Sequence, residues 1–187
     1  MVIGYFTRAA KKLVGINPPK RRRFASIAYD KSRPLEVDGY KKIAEDEHNV
    51  AYQKDGQIKF GVAGTHDLKD VVTDAKILAG KKIEDTDRYK QSENFINKIK
   101  EQYKPSDISL SGHSLGGGIV NALSKKYGYK GKAYNPYLLK KEDISDKVEN
   151  VRSVFDPVSI AVAPSIKTDY SKIDFNPLQA HSISQFD

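Results

Sequence analysis

Residues 107–123 read DISLSGHSLGGGIVNAL. Ile108–Gly112 has the pattern of a strand and Leu115–Tyr127 that of a helix, yet Gly112, Gly116, Gly117 and Gly118 crowd the junction. Glycine costs a helix roughly 1 kcal/mol relative to alanine, so this concentration needs a reason. Gly112-His113-Ser114-Leu115-Gly116 has the form G-x-S-x-G between a predicted strand and a predicted helix. At such a junction the serine sits on a tight, strained turn, and side chains at the flanking positions would strike neighbouring backbone. The turn lifts the hydroxyl clear of the sheet and points the helix N-terminus at any negative charge forming there. Gly117 and Gly118 are expected to extend the close approach of helix to sheet. The bare pattern arises by chance in roughly one chain of this size in fifteen. A glycine-rich turn that holds a phosphate is the competing reading, but the Gly-Lys-Ser/Thr of a P-loop is missing. The partners of Ser114 therefore decide.

A serine nucleophile needs a base and an acid, which follow it in the order serine, acid, histidine when the serine stands on such an elbow. Of His48, His66, His113 and His181, only His181 lies downstream. The ring of His113 is expected to point away from the neighbouring hydroxyl and to pack. His48 reads as a surface strand residue and His66 as a loop residue that can line the site. The acid candidates are Glu142, Asp143, Asp146, Glu149, Asp156, Asp169 and Asp174. Most stand in charged stretches, where solvation is the default. Asp156 follows the apolar Ser-Val-Phe and precedes PVSIAVAP, and a carboxylate buried there needs bonded partners. Fixing an imidazole tautomer supplies one. Asp174, between Ile173 and Phe175, is the second choice.

Outward from this stretch, strands are predicted at 40–46, 49–52, 58–64, 130–136 and 148–157, and helices at 24–32, 66–80 and 85–103. The Asp-Gly of QKDGQ (53–57) predicts a hairpin. The last thirty residues read as loop with one late apolar patch. Strands alternating with helices imply a mainly parallel α/β sheet. The 187 residues, 39% of them apolar, suit one globular domain. No apolar run approaches the roughly 20 residues that span a bilayer. The start, MVIGYFTRAAKKLVG, lacks the layout of a secretory signal, so a cytoplasmic or particle-associated location is expected. The absence of cysteine excludes disulfides, thiolate catalysis and zinc–thiolate sites. The net charge is +8, and residues 1–23 hold Arg8, Lys11, Lys12, Lys20, Arg21, Arg22 and Arg23 with no acid. A nearly neutral domain thus carries a basic arm.

Four stretches resemble the class 3 (fungal-type) triacylglycerol lipases and their phospholipase A1-like relatives in the α/β-hydrolase superfamily. FASIAYD is similar to the family's N-terminal helix. FGVAGTHDLKDVVTD resembles its Arg-Gly-Thr/Ser strand end and the helix with two spaced aspartates, here Asp70 and Asp74. LSGHSLGGGIVNAL resembles its elbow, and VFDPVSIAVAP with HSISQF its acid and histidine segments. The resemblance implies a small α/β-hydrolase fold over residues 24–187, a mostly parallel central sheet with flanking helices and a reduced lid. It implies Ser114 as nucleophile, Asp156 as acid, His181 as base, elbow glycines Gly112 and Gly116, and oxyanion donors on the backbone of Thr65 and Leu115. It implies a lipid ester as substrate, with no metal or cofactor. Ala63 departs from the family's arginine and Val71 from its usual tryptophan, and its His-x-Gly-Phe element is absent. The helix at 66–80 is where relatives carry the lid, although core packing explains its apolar face equally well.

Two other classes remain open at this point. One is a catalytically silent module of this fold, for example in a virus particle, docking through its arm. The other is a nucleic-acid-binding or nuclear-localisation role for the PPKRRR arm. The apolar residues interleaved in the arm also suit an anionic membrane surface.

Overall fold

The computed structural model describes residues 23–65, 82–138 and 140–186. Its centre is an eight-stranded mixed sheet in which spatial order follows chain order. The strands are β1 (Glu36–Val37), β2 (Tyr40–Glu45), β3 (Asn49–Lys54), β4 (Gln57–Val62), β5 (Asp107–His113), β6 (Lys130–Tyr134), β7 (Val148–Ser153) and β8 (Lys167–Asp169). Pairing is antiparallel from β1 to β4 and parallel from β4 to β8. The helices are α1 (Arg23–Ile27), α2 (Asp87–Tyr103), α3 (Leu115–Tyr127) and α4 (Pro177–His181). Together the sheet and its helices form a small α/β-hydrolase-like fold. No helix of the described residues is long and apolar enough to cross a membrane.

Local chemistry explains these elements. Asp55 and Gly56 both take positive φ (48° and 76°), as a two-residue hairpin loop requires, and Lys54 pairs with Gln57 across it. Asp38 and Gly39 repeat the device between β1 and β2. α2 starts at Thr86, whose hydroxyl accepts from the Tyr89 N–H (3.2 Å), and ends at Lys104 in the left-handed region, just before Pro105. Its buried Tyr89, Ser92, Ile96 and Ile99 recur at three- and four-residue steps and face the sheet. α3 is buried from Leu115 to Ser124, and its Ile119, Val120 and Leu123 are sealed in the main core. Each such side chain contributes about 1.5–3 kcal/mol by leaving water.

Three expectations need correction. The alternation of strand and helix does not persist: β6–β7 and β7–β8 cross over through residues 135–147 and 154–166, whose described residues contain only the short 3-10 turns Lys141–Asp143 and Ile160–Ser165. The last thirty residues are not plain loop, since they form β8, α4 and a 3-10 turn at Ile183–Phe186. His48 stands in the β2–β3 turn, half-buried, and not on a strand. The helix expected at 66–80, with His66, Asp70, Val71, Asp74 and the lid assignment, lies outside the described residues, as does the arm up to residue 22.

Candidate active site

The carboxyl ends of β4 to β7 converge on one rim of the sheet, where ligands of open α/β sheets bind. Val62 of β4 is in register with Gly112 of β5, His113 with Tyr134 of β6, and Tyr134 with Val151 of β7. Residues 63–65, Ser114, 135–137 and 153–156 therefore leave the sheet side by side.

Ser114 bridges β5 and α3 at φ 56°, ψ −127°, a conformation that costs a non-glycine residue about 1–3 kcal/mol. Its neighbours show why the flanks are glycine. A Cβ at Gly112 would lie 2.6 Å from the Gly116 carbonyl carbon, and one at Gly116 would run into the Val62 oxygen and lie 2.8 Å from the Ala63 carbonyl. Gly117 and Gly118 serve a different contact from the one expected. They pack mainly against the loop after β6, at Pro136 and the Tyr137 carbonyl, and less against the sheet.

The three residues expected to act together meet there. Ser114 Oγ is 2.9 Å from His181 Nε2, and His181 Nδ1 is 2.6 Å from Asp156 Oδ1. All three are buried, at 2%, 2% and 0% exposure. A carboxylate only accepts, so Nδ1 carries the imidazole proton and Nε2 accepts from the serine hydroxyl. Asp156 Oδ2 accepts from the Ser159 backbone N–H (2.9 Å) and hydroxyl, and Oδ1 accepts from Val158 N–H (3.2 Å). Burial alone would push the Asp156 carboxyl up; the bonds from His181 and Ser159 outweigh it and hold the group below the usual carboxylate range. Asp174 lies apart from this chain, half-buried, accepting from the Asn176 backbone N–H at 2.9 Å.

Leu115 follows Ser114 in the chain, and Gly64, the residue before Thr65, lies against that serine. Leu115 opens α3, so its N–H is among the first four that have no carbonyl partner one turn back. Thr65 follows Gly64, where a Cβ would lie 2.8 Å from Ser114 Cβ. The loop carrying Thr65 is itself held, because Ala63 N–H donates to the His48 carbonyl (2.8 Å) and the Ala63 carbonyl accepts from Arg88 (2.7 Å).

Several supporting residues escaped the sequence reading. Asn135, at φ 41°, donates to the carbonyls of Ala180 and His181 (both 3.0 Å) and accepts from Ser153 N–H at 2.7 Å. The Ser153 hydroxyl also bonds the Ala180 carbonyl. Arg152 braces the turn that carries Asp156 through Ser159 Oγ (3.2 Å) and the Asp156 carbonyl (3.1 Å). Behind α3, the amides of Asn121 and Asn150 bond reciprocally at 2.7 and 3.0 Å, tying the helix that follows Ser114 to β7. Nothing local marks Arg152, which shares β7 with Glu149, Asn150 and Ser153, and nothing local marks Asn135. His113 does more than pack. Its ring is turned from Ser114, with Nδ1 2.8 Å from Tyr29 Oη and Nε2 2.7 Å from the His181 carbonyl.

No protein-family model matches the chain, and no curated protein matches it in sequence. Solved structures do. A lipase from Rhizopus microsporus var. chinensis aligns with 75% of this chain at 14% identity and TM-score 0.50; the alignment spans 65% of that lipase. A triacylglycerol lipase from Penicillium expansum aligns over 79% of this chain and 72% of its own, at 12% identity and TM-score 0.47. A mutant form of MDLA from Penicillium cyclopium aligns over 76% and 71%, at 15% identity and TM-score 0.47. The mixed sheet and helices of this chain form a lipase-like α/β-hydrolase fold, similar in layout to the Rhizopus lipase.

Proposed function

We propose that this chain is a serine carboxylic-ester hydrolase of the class 3 lipase type, acting on lipid esters through an acyl-enzyme. The observation that carries the reading is the buried chain Ser114–His181–Asp156, bonded at 2.9 and 2.6 Å in the polarity that proton transfer needs. A silent module has no use for a buried carboxylate–imidazole pair beside a strained serine, since each is costly to keep.

In this reading Ser114 Oγ attacks the acyl carbonyl while His181 Nε2 takes its proton. The carbonyl oxygen becomes an oxyanion held by the N–H groups of Leu115 and Thr65, each worth about 3–4 kcal/mol of barrier. His181 returns the proton to the departing alcohol. Water, deprotonated by the same imidazole, then releases the acid from Ser114. Asp156 keeps the Nδ1–H tautomer and stabilises the imidazolium.

The lipid class of substrate is supported by exposed apolar side chains, some of them close in the chain to these groups. Among the described residues, Phe155, Ile160, Tyr170, Ile173, Phe175 and Leu178 are exposed, and the Phe155 and Phe175 rings pack 5.0 Å apart. Phe155 directly precedes Asp156, and Leu178 stands one turn before His181. We read the basic arm as the part that meets anionic lipid. The test is hydrolysis of a short-chain p-nitrophenyl ester and of emulsified lipid by wild type and Ser114→Ala. The variant is expected to fold and to lose on the order of 10⁶ in turnover. Retention of a tenth of the activity would overturn the reading.

A further inference from the structure

We infer that Tyr29 and His113 form a buried relay that holds the oxyanion loop and the base in fixed relation, which makes both positioning residues for acyl transfer. The inference rests on the hydrolase reading above.

Hydrogen-bond bookkeeping fixes the direction of the relay. The Gly64 N–H donates to Tyr29 Oη at 2.7 Å. The tyrosine hydroxyl has His113 Nδ1 within reach at 2.8 Å, nearer than the His113 carbonyl at 3.4 Å. His113 Nε2 stands 2.7 Å from the His181 carbonyl, which can only accept, so Nε2 carries the imidazole proton. A neutral imidazole protonated at Nε2 presents a lone pair at Nδ1, which is what the tyrosine hydroxyl needs. The chain thus runs from Gly64 N–H through Tyr29 O–H and His113 Nε2–H to the His181 carbonyl with every member satisfied. Burial pushes the Tyr29 hydroxyl above its ordinary range, against the Gly64 N–H and Arg88, and keeps it a neutral donor at working pH.

The two ends of this chain are the two parts that must agree during acyl transfer. Gly64 precedes Thr65 and lies against Ser114 Cβ. The His181 backbone sets where its imidazole meets Ser114. The same carbonyl has a second donor in Asn135 Nδ2, so losing His113 does not orphan it. Losing His113 should therefore disturb geometry more than folding, whereas Tyr29→Phe also removes the acceptor of the Gly64 N–H and should lower the melting temperature. A misplacement of about 1 Å costs roughly 10²-fold in rate.

The test uses Tyr29→Phe, His113→Gln and His113→Ala in the full-length protein. We would measure kcat per titrated active site and KM with p-nitrophenyl butyrate, Ki for an arylboronic acid whose serine adduct carries negative charge, and thermal melting. Tyr29→Phe keeps the ring packed edge-on to His113 at 5.7 Å but removes the hydroxyl. Its kcat should fall roughly 10–100-fold with KM within about twofold, and the boronate Ki should rise by a similar factor. His113→Gln retains a donor at the reach of Nε2 and should recover part of what His113→Ala loses. Tyr29→Phe combined with His113→Ala should cost less than the product of the two single losses, because the two act in one chain. Nitrogen NMR of histidine-labelled protein reads the tautomers directly, with His113 expected as Nε2–H and His181 as Nδ1–H. An Nδ1–H proton on His113, or an active wild type whose Tyr29→Phe kcat per titrated site is unchanged, overturns the relay. Correct tautomers in a wild type that hydrolyses no ester would overturn the hydrolase reading instead, and with it the relay's catalytic role.

Discussion

Replacing Asp156 by asparagine exchanges one oxygen of the buried carboxylate for an NH₂ group, and the surroundings dictate how the amide turns. The Oδ2 position accepts from the Ser159 N–H at 2.9 Å and from the Ser159 hydroxyl, whereas Oδ1 accepts from Val158 N–H at 3.2 Å and from His181. Placing NH₂ at Oδ2 sets two donors against each other at the shorter distance. The amide oxygen should therefore stay there and turn NH₂ towards His181. Nδ1 must then accept, the ring proton moves to Nε2, and a donor faces Ser114 Oγ at 2.9 Å where an acceptor is required. The imidazolium also loses its counter-charge. Turnover should drop by roughly 10⁴, or about 5.5 kcal/mol of barrier, with little change in substrate binding. Initial rates on a soluble p-nitrophenyl ester, normalised to folded protein by circular dichroism, measure this. If Asp156→Asn kept more than a tenth of wild-type turnover while Asp174→Asn lost it, the acid would be Asp174 and the reasoning would fail.

Gly116→Ala should cost about 1–3 kcal/mol of stability, because its methyl meets the Val62 and Ala63 carbonyls; an unchanged melting temperature would refute the close approach. The folded pKa of Asp156 lies below its ordinary 3.8, so its ionised form contributes stability that is present above that value and lost as pH falls through the folded one. The urea-midpoint difference between wild type and Asp156→Asn should hold at neutral pH and shrink as the pH drops below 3.8; a constant difference would contradict this. Removing residues 1–22 should weaken co-sedimentation with anionic vesicles, by up to about 1 kcal/mol per cation, and leave soluble-ester hydrolysis unchanged. Added salt should weaken the full-length binding. Equal vesicle binding by the two forms would exclude a membrane-targeting arm.

The parts legible in the sequence are those governed by local chemistry. The Asp-Gly turn at 55–56, the three- and four-residue spacing of Tyr89, Ser92, Ile96 and Ile99, and the glycine-flanked serine each impose their conformation over a few residues. The Asp-Gly at 38–39 carried the same signal and marks β1, which the sequence reading passed over. The C-terminal segment was harder, because α4 is five residues long and has no apolar period. What holds it is distant in sequence: Asn135, Ser153 and His113 reach its last carbonyls from the ends of three neighbouring strands. Asn176 before Pro177 was its one local start signal, with the asparagine oxygen accepting from Leu178 N–H. Chain order singled out His181 and the apolar flanks singled out Asp156, but the relay through Tyr29 joins residues 84 positions apart and leaves no pattern in the sequence.

The central claim is that Ser114 is a nucleophile activated by His181, and covalent labelling with a fluorophosphonate tests it most directly. Wild-type protein should gain the mass of one probe, mapped by peptide mass spectrometry to Ser114. Ser114→Ala should gain none, and His181→Ala should react slower by several orders of magnitude, since the two act as a unit. Labelling that maps to another residue, or that proceeds at the wild-type rate in His181→Ala, would contradict the account.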